Sequence, residues 1–331
     1  MLLSPFDFGD FRLFEPAQIW RSTSAKSAVK VLSGSEFSQV RIVEYYEHLA
    51  LNCGRDFKNI RRIAKFMPLF YDGAPHKKLR KQLAVFLRDV SDVSDVLQVF
   101  EREAGALIAQ KMREVGPLDV VSEIGQPIVQ KFSLSMTGLD HVDGLSSLIV
   151  GSLSLKTTRE IDAGFGRLFA QSAERFPDED VDMQALRVVF SILGPGPLGA
   201  SIVRSFQLLM AGAVKQPISS LNWPDSFPAT GLEMAMRECR HQLLDQDGKS
   251  TRTRLVQVDL TRFLKDKSAN PNYMFGVGSH ACLGRGLSLS LWKRIAVDMR
   301  QNPMRVTYVN SKPSVDKLVN FPVSFQIEVL K

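Results

Sequence analysis

The sequence predicts a mainly α-helical fold with a small, reduced β region. Apolar residues recur at helical spacing over most of residues 36–236, whereas strand-like segments are concentrated near the end, at 304–309 and 319–329. The segment 312–314 between these strands contains a proline and a serine and is predicted to be a turn. Because the composition does not change enough anywhere to mark a linker, we expect one domain that covers residues 1–331.

Composition and charge are those of an ordinary globular protein. The chain has 331 residues, of which 44% are hydrophobic and 23% charged, and its net charge is +7. The basic clusters at 61–62 and 77–81 are short and are not interleaved with aromatic residues, so we expect most of this charge on solvated helix faces. No nucleic-acid partner is therefore expected, and an acidic electron-transfer protein suits the basic surface better.

No segment of the sequence indicates a membrane or secreted location. The first residues carry Asp7 and Asp10 and no basic start, unlike a secretory signal. The longest uncharged apolar run, 188–203, is too short to span a bilayer and is interrupted by Pro195 and Pro197. We therefore expect a cytoplasmic protein that does not bind membranes.

The cysteines do not suggest a disulfide framework or a four-cysteine metal site. Only three occur, at Cys53, Cys239 and Cys282, and they lie far apart in the sequence. A reducing compartment fits this usage.

A helix is predicted to begin near Asp72. Asp72 or Gly73 can cap it, and Pro75 is tolerated in a first turn. A buried stripe at helical spacing follows, formed by Leu79, Leu83, Phe86, Leu87 and Val90. His76 and Arg80 are one turn apart, so both cations lie on the same face of this helix.

The stretch 185–210 is apolar on nearly every face and is predicted to be an interior helix. Pro195, Pro197 and the neighbouring glycines should kink or break it. Gly194, Gly196 and Gly199 also match the spacing of a dinucleotide-binding fingerprint. However, no acid follows between residues 205 and 224 and no βαβ repeats surround it, so a nucleotide site is the weaker interpretation.

The most informative segment is the loop Phe275-Gly276-Val277-Gly278-Ser279-His280-Ala281-Cys282-Leu283-Gly284. Glycines allow positive φ angles and a close approach of the backbone to a flat ligand. A thiolate surrounded by backbone N–H groups, at the start of a helix near Leu287, is a suitable axial ligand for haem iron. His280 lies two residues away and could reach a haem carboxylate.

Three alternative roles suit this loop less well. A lone buried cysteine beside a glycine-rich turn is often inert. A zinc site needs more ligands than His280 and Cys282. A nucleophilic pair of these two residues would leave the glycines unexplained.

This loop matches, at every fixed position, the haem-binding loop Phe-Gly-x-Gly-x-His-x-Cys-x-Gly of the cytochrome P-450 (haem-thiolate) family. From average residue frequencies, a chance match in a chain of this length has a probability on the order of one in a million. The chain thus resembles a shortened, atypical member of that family. The resemblance implies haem b with its iron bound by the Cys282 thiolate, in a site formed with Phe275, Gly276, Gly278, His280 and Gly284.

The helix from Asp72 resembles the family's His-x-x-x-Arg helix, which implies that His76 and Arg80 contact the haem propionates. Weaker matches occur at 258–263, which resembles the segment before the haem loop, and at 317–323, which resembles the terminal turn that lines the substrate pocket.

Two departures from the family concern its scaffold. Most of the opening strands are expected to be missing, and too little sequence lies between Arg237 and Phe275 for the usual strands and the helix that follows them. The family's Glu-x-x-Arg ion pair also looks incomplete. If Arg237 is its arginine, Met234 occupies the acid position, and Glu233 is one residue off on the predicted helix.

A third departure concerns proton delivery. The family's Ala-Gly-x-(Asp/Glu)-Thr segment aligns with residues 193–197, which places Gly196 at the acid position and Pro197 at the hydroxyl position. Both proton-handling side chains are therefore absent. The residues that we expect to line the substrate pocket are Leu193, Gly194, Gly196, Pro197, Leu198, Val319 and Phe321.

The resemblance implies a haem-dependent oxidoreductase that hydroxylates a small organic molecule of specialised metabolism. It would act as a monooxygenase with a ferredoxin-type electron donor or as a peroxygenase with hydrogen peroxide, and protons would come from water, the substrate or the peroxide. Two alternatives stay open: a non-oxidative haem enzyme such as a dehydratase or isomerase, and a non-catalytic haem-binding or carrier-recruiting module.

Overall fold

The computed structural model describes residues 11–14, 19–142, 155–240, 254–313, 319 and 321–331. Its helices are α1 (Ala25–Ser33), α2 (Ile42–Cys53), α3 (Lys58–Phe66), α4 (Gly73–Ser94), α5 (Val96–Lys111), α6 (Gln126–Thr137), α7 (Leu155–Arg175), α8 (Val181–Leu193), α9 (Pro195–Met210), α10 (Arg262–Lys265) and α11 (Arg285–Arg300). Its strands are β1 (Phe11–Phe14), β2 (Ile19–Ser22), β3 (Phe37–Ser38), β4 (Gly116–Asp119), β5 (Gln216–Pro217), β6 (Met234–Cys239), β7 (Leu255–Asp259), β8 (Arg305–Lys312) and β9 (Ser324–Leu330). The prediction of a mainly α-helical chain with small sheets is confirmed.

The chain divides into two compact units. The first, which we call the sheet unit, comprises Met1–Asp56, Met67–Arg80 and Glu233–Cys282. The second, the helical unit, comprises Phe57–Phe66, Lys81–Leu232 and Leu283–Lys331. Each unit is assembled from segments that are far apart in the sequence, and the expected single domain over residues 1–331 stays a prediction.

The sheet unit contains a five-stranded sheet in the order β1-β2-β7-β6-β3. β2 and β7 are parallel and the other neighbours are antiparallel. In β7 the buried residues Val256 and Val258 alternate with partly exposed ones, the period expected of a strand with one covered face. The opening region supplies β1 and β2 and the region before Phe275 supplies β6 and β7, all of them short strands; their reduction relative to the resembled family stays a prediction.

The expected helix around Arg237 is also wrong. Met234–Cys239 forms β6, in which Arg237 pairs with Val256 of β7 in an antiparallel register. Methionine, alanine, arginine and glutamate favour helices, but pairing with a strand on each side and burial of Arg237 and Cys239 outweigh that preference. Because Glu233 and Arg237 do not lie on a helix, the comparison with a helical Glu-x-x-Arg pair does not apply.

The interior helix of the helical unit is interrupted as predicted. α8 ends at Leu193, and α9 begins at Pro195, with Gly194 between them. The residues before Gly194 are helical, so the strand that a dinucleotide fingerprint needs is not there. The whole stretch Val181–Met210 is long and apolar enough to cross a membrane, but 78% of its most apolar window is buried, as is usual for a helix in a protein core.

The strands predicted near the end of the chain are confirmed as a hairpin. β8 and β9 pair antiparallel within a second sheet, β4-β9-β8-β5, in the helical unit. Phe325, Ile327 and Val329 of β9 are buried and alternate with more exposed residues. Of the residues in the two turns predicted near this hairpin, Ser314, Lys317, Leu318 and Asn320 lie outside the described residues. Lys312 does not form a turn, because it is the last residue of β8 and pairs with Ser324 of β9.

The helix predicted from Asp72 is confirmed as α4. Leu79, Leu83 and Phe86 are buried along one stripe and Leu87 is partly buried, while the side chain of Val90 is outside the described part. Residues 73–80, which carry His76 and Arg80, belong to the sheet unit.

An aromatic cluster stabilises the helical unit. Trp292 of α11 is fully buried, and its indole N–H donates to the Pro224 carbonyl over 3.0 Å. Its ring lies 4.8 Å from that of Phe227 and about 6 Å from those of Phe206 and Trp223. Such a ring contributes both buried area and a satisfied polar group.

Replacing Trp292 by alanine is expected to lower the free energy of unfolding by about 3–5 kcal/mol, because a large cavity forms among the other three rings. Urea denaturation followed by far-UV circular dichroism measures the loss. Val297→Ala, on the same helix but 41% exposed, is the matched control and should change it by less than about 0.5 kcal/mol. Equal effects of the two substitutions would contradict the assignment of Trp292 to the core.

Candidate functional site

The glycines of the loop 275–284 are required by its backbone at two positions. Gly276 and Gly278 have φ angles of 87° and 68°, which residues with a side chain rarely adopt. A Cβ at Gly276 would also lie 3.0 Å from the carbonyl oxygen of His280, a backbone atom that cannot move aside easily. Gly284 has φ −82°, so its backbone conformation does not require glycine.

The loop is closed by one short hydrogen bond. The N–H of Cys282 donates to the carbonyl of Phe275 over 2.7 Å, which brings the two ends of the loop together. Cys282 is present as a thiol and is exposed. α11 begins three residues later, at Arg285, and its predicted orientation toward the sulfur stays a prediction.

His280 is held by two groups of the sheet unit. Its Nε2 lies 3.4 Å from Oδ1 of Asp72 and 3.2 Å from the side-chain nitrogen of Gln39. Oδ2 of Asp72 in turn accepts the backbone N–H of Gln39 over 2.8 Å. In the part of the chain that the structure describes, the buried Nδ1 of His280 has no hydrogen-bond partner. One nitrogen is therefore fixed by the protein, and the other is left for a further group.

The structure brings His76 to the same place. Its ring is buried and lies 3.9 Å from the ring of His280, centroid to centroid, with an angle of 32° between the planes. Burial lowers the pKa of His76, and the charge of Arg80 lowers it further. Burial, followed by the charges of Arg237 and His76, lowers the pKa of His280 to about 4 against the opposing pull of Asp72. Both imidazoles are thus neutral near pH 7 and can donate one hydrogen bond each.

Arg237 belongs to this cluster although the sequence did not predict it as a site residue. Its side chain is only 8% exposed, and its Nη1 donates to the Met236 carbonyl over 2.9 Å. Burial lowers its pKa to about 10, while the charge of Asp72 acts in the opposite direction. An arginine that faces inward on a strand, next to the buried Cys239, is a signal of a functional residue. Using this signal would have required predicting the strand first.

Arg80 is the second arginine of the cluster. Burial lowers its pKa, and the negative charge of a Cys282 thiolate opposes this effect, so the guanidinium lies within electrostatic range of the sulfur. A nearby cation of this kind favours the thiolate over the thiol. The structure therefore brings His76, Arg80, His280 and Cys282 together within the sheet unit, and their contacts with haem stay a prediction.

The charges and donors of the cluster fit haem. Arg80 and Arg237 are partly or fully buried, and Asp72 is the carboxylate that acts on Arg237 and His280. Buried cations are costly unless anions accompany them, and the two carboxylates of haem would supply that charge. The unpartnered Nδ1 of His280 offers one of them a hydrogen bond.

The donor set does not suit a metal ion bound by side chains alone. Among the residues that the structure describes, no group of three or more histidine, cysteine, aspartate or glutamate side chains could hold one. A metal bound by Cys282 would therefore have to bring most of its other ligands with it, as haem iron does.

The residues predicted to line a substrate pocket lie in the helical unit. Gly196 and Leu198 are buried, and the others, Leu193, Gly194, Pro197, Val319 and Phe321, are half-buried. The ring of Phe321 lies against two glycines: a Cβ would meet it at 2.9 Å from Gly125 and at 3.2 Å from Gly199. These glycines leave the space that the phenyl ring occupies.

Two residues missed by the sequence analysis connect the start of α9 with the terminal turn. The hydroxyl of Ser201 donates to the Pro197 carbonyl over 2.8 Å and accepts the N–H of Gly231 over 2.9 Å. Leu232, the next residue, forms a β-bridge with Val319. A Cβ on Gly231 would lie 2.7 Å from the Pro197 carbonyl, so only glycine fits there. Pro197 and Val319 are thereby linked through three intervening residues.

Comparison with known proteins gives matches at the level of structure. No family model matches the chain. No curated protein matches it either.

Many solved structures are similar to it. P450BioI, in complex with an acyl carrier protein carrying hexadec-9Z-enoic acid, has a TM-score of 0.71 at 15% identity, over 97% of this chain and 94% of its own. A thermophilic cytochrome P450 from Sulfolobus tokodaii has a TM-score of 0.63 at 17% identity, over 94% of each chain. The cytochrome P450 PksS of the bacillaene polyketide synthase of Bacillus subtilis 168 has a TM-score of 0.64 at 14% identity, over 97% of this chain and 94% of its own. With the cysteine loop and the α4 residues His76 and Arg80 already placed together, these likenesses establish that the chain has the cytochrome P450 fold.

Proposed function

We propose that the chain binds haem b, with the Cys282 thiolate as the protein ligand of the iron, and acts as a haem-dependent oxidoreductase on a small organic molecule. The observation that carries the proposal is the unpartnered, buried Nδ1 of His280 beside Arg237, in the same cluster as the exposed Cys282 thiol. A flat ligand that carries two carboxylates and an iron would account for all three features together.

Each residue of the cluster has a defined role in this proposal. Arg80, Arg237, His76 and His280 would hold the haem carboxylates by hydrogen bonds. The amide nitrogen of Gln39 can only donate to Nε2 of His280, so the neutral ring would carry its proton on Nδ1, where it is available to the ligand. Phe275, Gly276, Gly278 and Gly284 shape the loop that presents the sulfur. Haem, when bound, supplies the oxidising chemistry.

The lack of side chains that could relay protons at the start of α9 favours hydrogen peroxide as the source of oxygen. Gly196 and Pro197 carry no acid or hydroxyl. Ser201, one turn further along α9, has its hydroxyl committed to the Pro197 carbonyl and the Gly231 N–H. Because no side chain of this segment is free to relay protons, they would come from water, the substrate or hydrogen peroxide, which brings its own protons. A ferredoxin-type donor remains the partner for a monooxygenase reaction.

The substrate is proposed to belong to specialised metabolism, which is supported by the similar P450 of a polyketide synthase. Leu193, Leu198, Val319 and Phe321 would give its pocket an apolar lining. The neighbour bound to an acyl carrier protein favours a second candidate function, in which the chain recruits a carrier-tethered molecule. A recruiting module would bind its carrier equally well with and without haem. The cytoplasmic location stays a prediction.

Cys282→Ala is expected to abolish the strongly red-shifted absorption band of the reduced, carbon monoxide-treated protein, because that band requires a thiolate ligand. Cys53→Ala removes another exposed thiol, at the end of α2, and should leave the band unchanged. A wild-type protein without the band, even after reconstitution with haem, would refute the proposed function.

Arg237→Met should weaken haem binding by about 10- to 100-fold, since one charged hydrogen bond of roughly 1.5–3 kcal/mol is lost. The same substitution should leave the haem-free protein as stable as before or make it more stable, because it removes a poorly compensated buried charge. Titration of the haem-free protein with haemin and thermal unfolding measure the two effects. Arg254→Met, at an exposed arginine of the same unit, is the control. A stability loss without an affinity loss would assign Arg237 to the scaffold alone.

Introducing the missing side chains with Gly196→Glu and Pro197→Thr should reduce the hydrogen peroxide released per electron consumed. The measurement uses the haem-loaded protein with a ferredoxin, its reductase and NADPH. Each single substitution serves as a control, because the acid and the hydroxyl are expected to act together. If the double substitution leaves the ratio unchanged in folded protein, residues 196 and 197 do not occupy the proton-delivery positions.

A further inference from the structure

The break between α8 and α9 removes a backbone donor where a continuous helix would have one. In an α-helix the N–H of residue 195 donates to the carbonyl of residue 191. Pro195 has no N–H, so the Ser191 carbonyl loses its helical partner. Ser191 is fully buried, and water is therefore a poor substitute.

A histidine from another part of the helical unit supplies the missing donor. Nδ1 of His141 lies 2.7 Å from the carbonyl oxygen of Ser191. A carbonyl oxygen can only accept a hydrogen bond, so the proton of the imidazole must reside on Nδ1. The hydrogen bond joins residues that are 50 positions apart in the chain.

The segment that carries His141 is anchored on two sides. The backbone N–H of His141 donates to Oε1 of Gln130 on α6 over 3.2 Å. The preceding residue, Asp140, accepts from the side chains of Gln130 and Gln171, the latter on α7, over 2.9 Å each. Its own N–H donates to Oε1 of Gln171 over 3.0 Å. These bonds place the imidazole from α6 and α7 rather than from α8 itself.

The residue between the two helices leaves little space for a side chain and keeps a helical backbone. A Cβ on Gly194 would lie 3.0 Å from Cε1 of Phe132 on α6. The backbone of Gly194 has φ −91° and ψ −52°, still within the right-handed helical region. A residue with an N–H at position 195 could therefore donate to Ser191 with little change of the backbone.

We propose that His141 is a positioning residue that fixes the break between α8 and α9, by donating from Nδ1 the hydrogen bond that Pro195 cannot donate to the Ser191 carbonyl. The break carries Leu193, Gly194, Gly196 and Pro197, so His141 sets the shape of the pocket without lining it. This bearing on substrate specificity rests on the proposed function, whereas the hydrogen bond and its coupling to Pro195 do not.

A double-mutant cycle tests the coupling on the haem-free full-length chain. His141→Leu alone should lower the midpoint of thermal unfolding by about 2–4 °C, since it leaves a buried carbonyl without a donor. In a Pro195→Ala background the new N–H of residue 195 serves the carbonyl, and His141→Leu should then have little effect. Pro197→Ala is the matched control, because its N–H would face Leu193 and should not rescue the loss.

Two results would overturn the proposal: the same loss in the Pro195→Ala background as in the wild type, or equal rescue by Pro197→Ala. Either result would mean that His141 contributes only packing. The wild-type protein gives an independent measurement if His141→Leu fails to fold. With 15N-labelled histidine, His141 should show a protonated Nδ1 whose hydrogen exchanges slowly with solvent, and protonation on Nε2 alone would contradict the inference.

A final arm separates this proposal from the proposed function. Imidazole binding to haem-loaded protein, followed by the shift of the haem absorption band, should weaken in His141→Leu and recover in the double variant with Pro195→Ala. If the cycle on stability succeeds but imidazole binding is the same in all variants, the break is held by His141 and does not shape a haem pocket. If no variant binds haem, the proposed function fails while the positioning role stands.

Discussion

Excess positive charge among the residues that the structure describes is the constraint on which the sheet unit depends, because Arg80 and the buried Arg237 share the neighbourhood of one carboxylate, that of Asp72. The start of α4, the middle of β6 and the loop 275–284 bring together two arginines and two histidines, and Asp72 is the carboxylate shared between His280 and Arg237. Burial keeps both imidazoles neutral, yet neither arginine can lose its proton near pH 7. The ligand that suits this arrangement is therefore an anion. Because the cysteine loop is adjacent, an anion that also carries a metal suits it best.

The helical unit follows a different principle. Its glycines leave room for neighbouring groups, and its polar side chains bond to the backbone. Glycine at 125 and 199 accommodates Phe321, and glycine at 231 allows the backbone to approach that of α9. Ser201 and His141 satisfy backbone groups rather than reacting groups. In the segment that we expect to align with the family's proton-handling region, these groups hold the shape of the backbone, which suits the oxidant proposed above.

The features that depend only on residues close together in the sequence could be predicted. The glycine positions of the loop, the helix that carries His76 and Arg80, and the break at the prolines all follow from the conformational limits of neighbouring residues. β6 was missed because its residues favour helices and its strand character comes from pairing with β7, whose partner for Arg237 is Val256. Arg237 was missed with it. The donor for Ser191 could not be predicted either, because it comes from a loop that α6 and α7 position.

The hydrogen bond between His141 and Ser191 also constrains how this sequence can drift. If residue 195 regains an N–H first, the histidine becomes dispensable and is free to change. If the histidine changes first, a buried carbonyl is left without a donor and the variant is selected against. The order of substitutions at the two positions is therefore fixed: the proline must change before the histidine can. As long as the proline is retained, the helix break persists while the residues that surround it change.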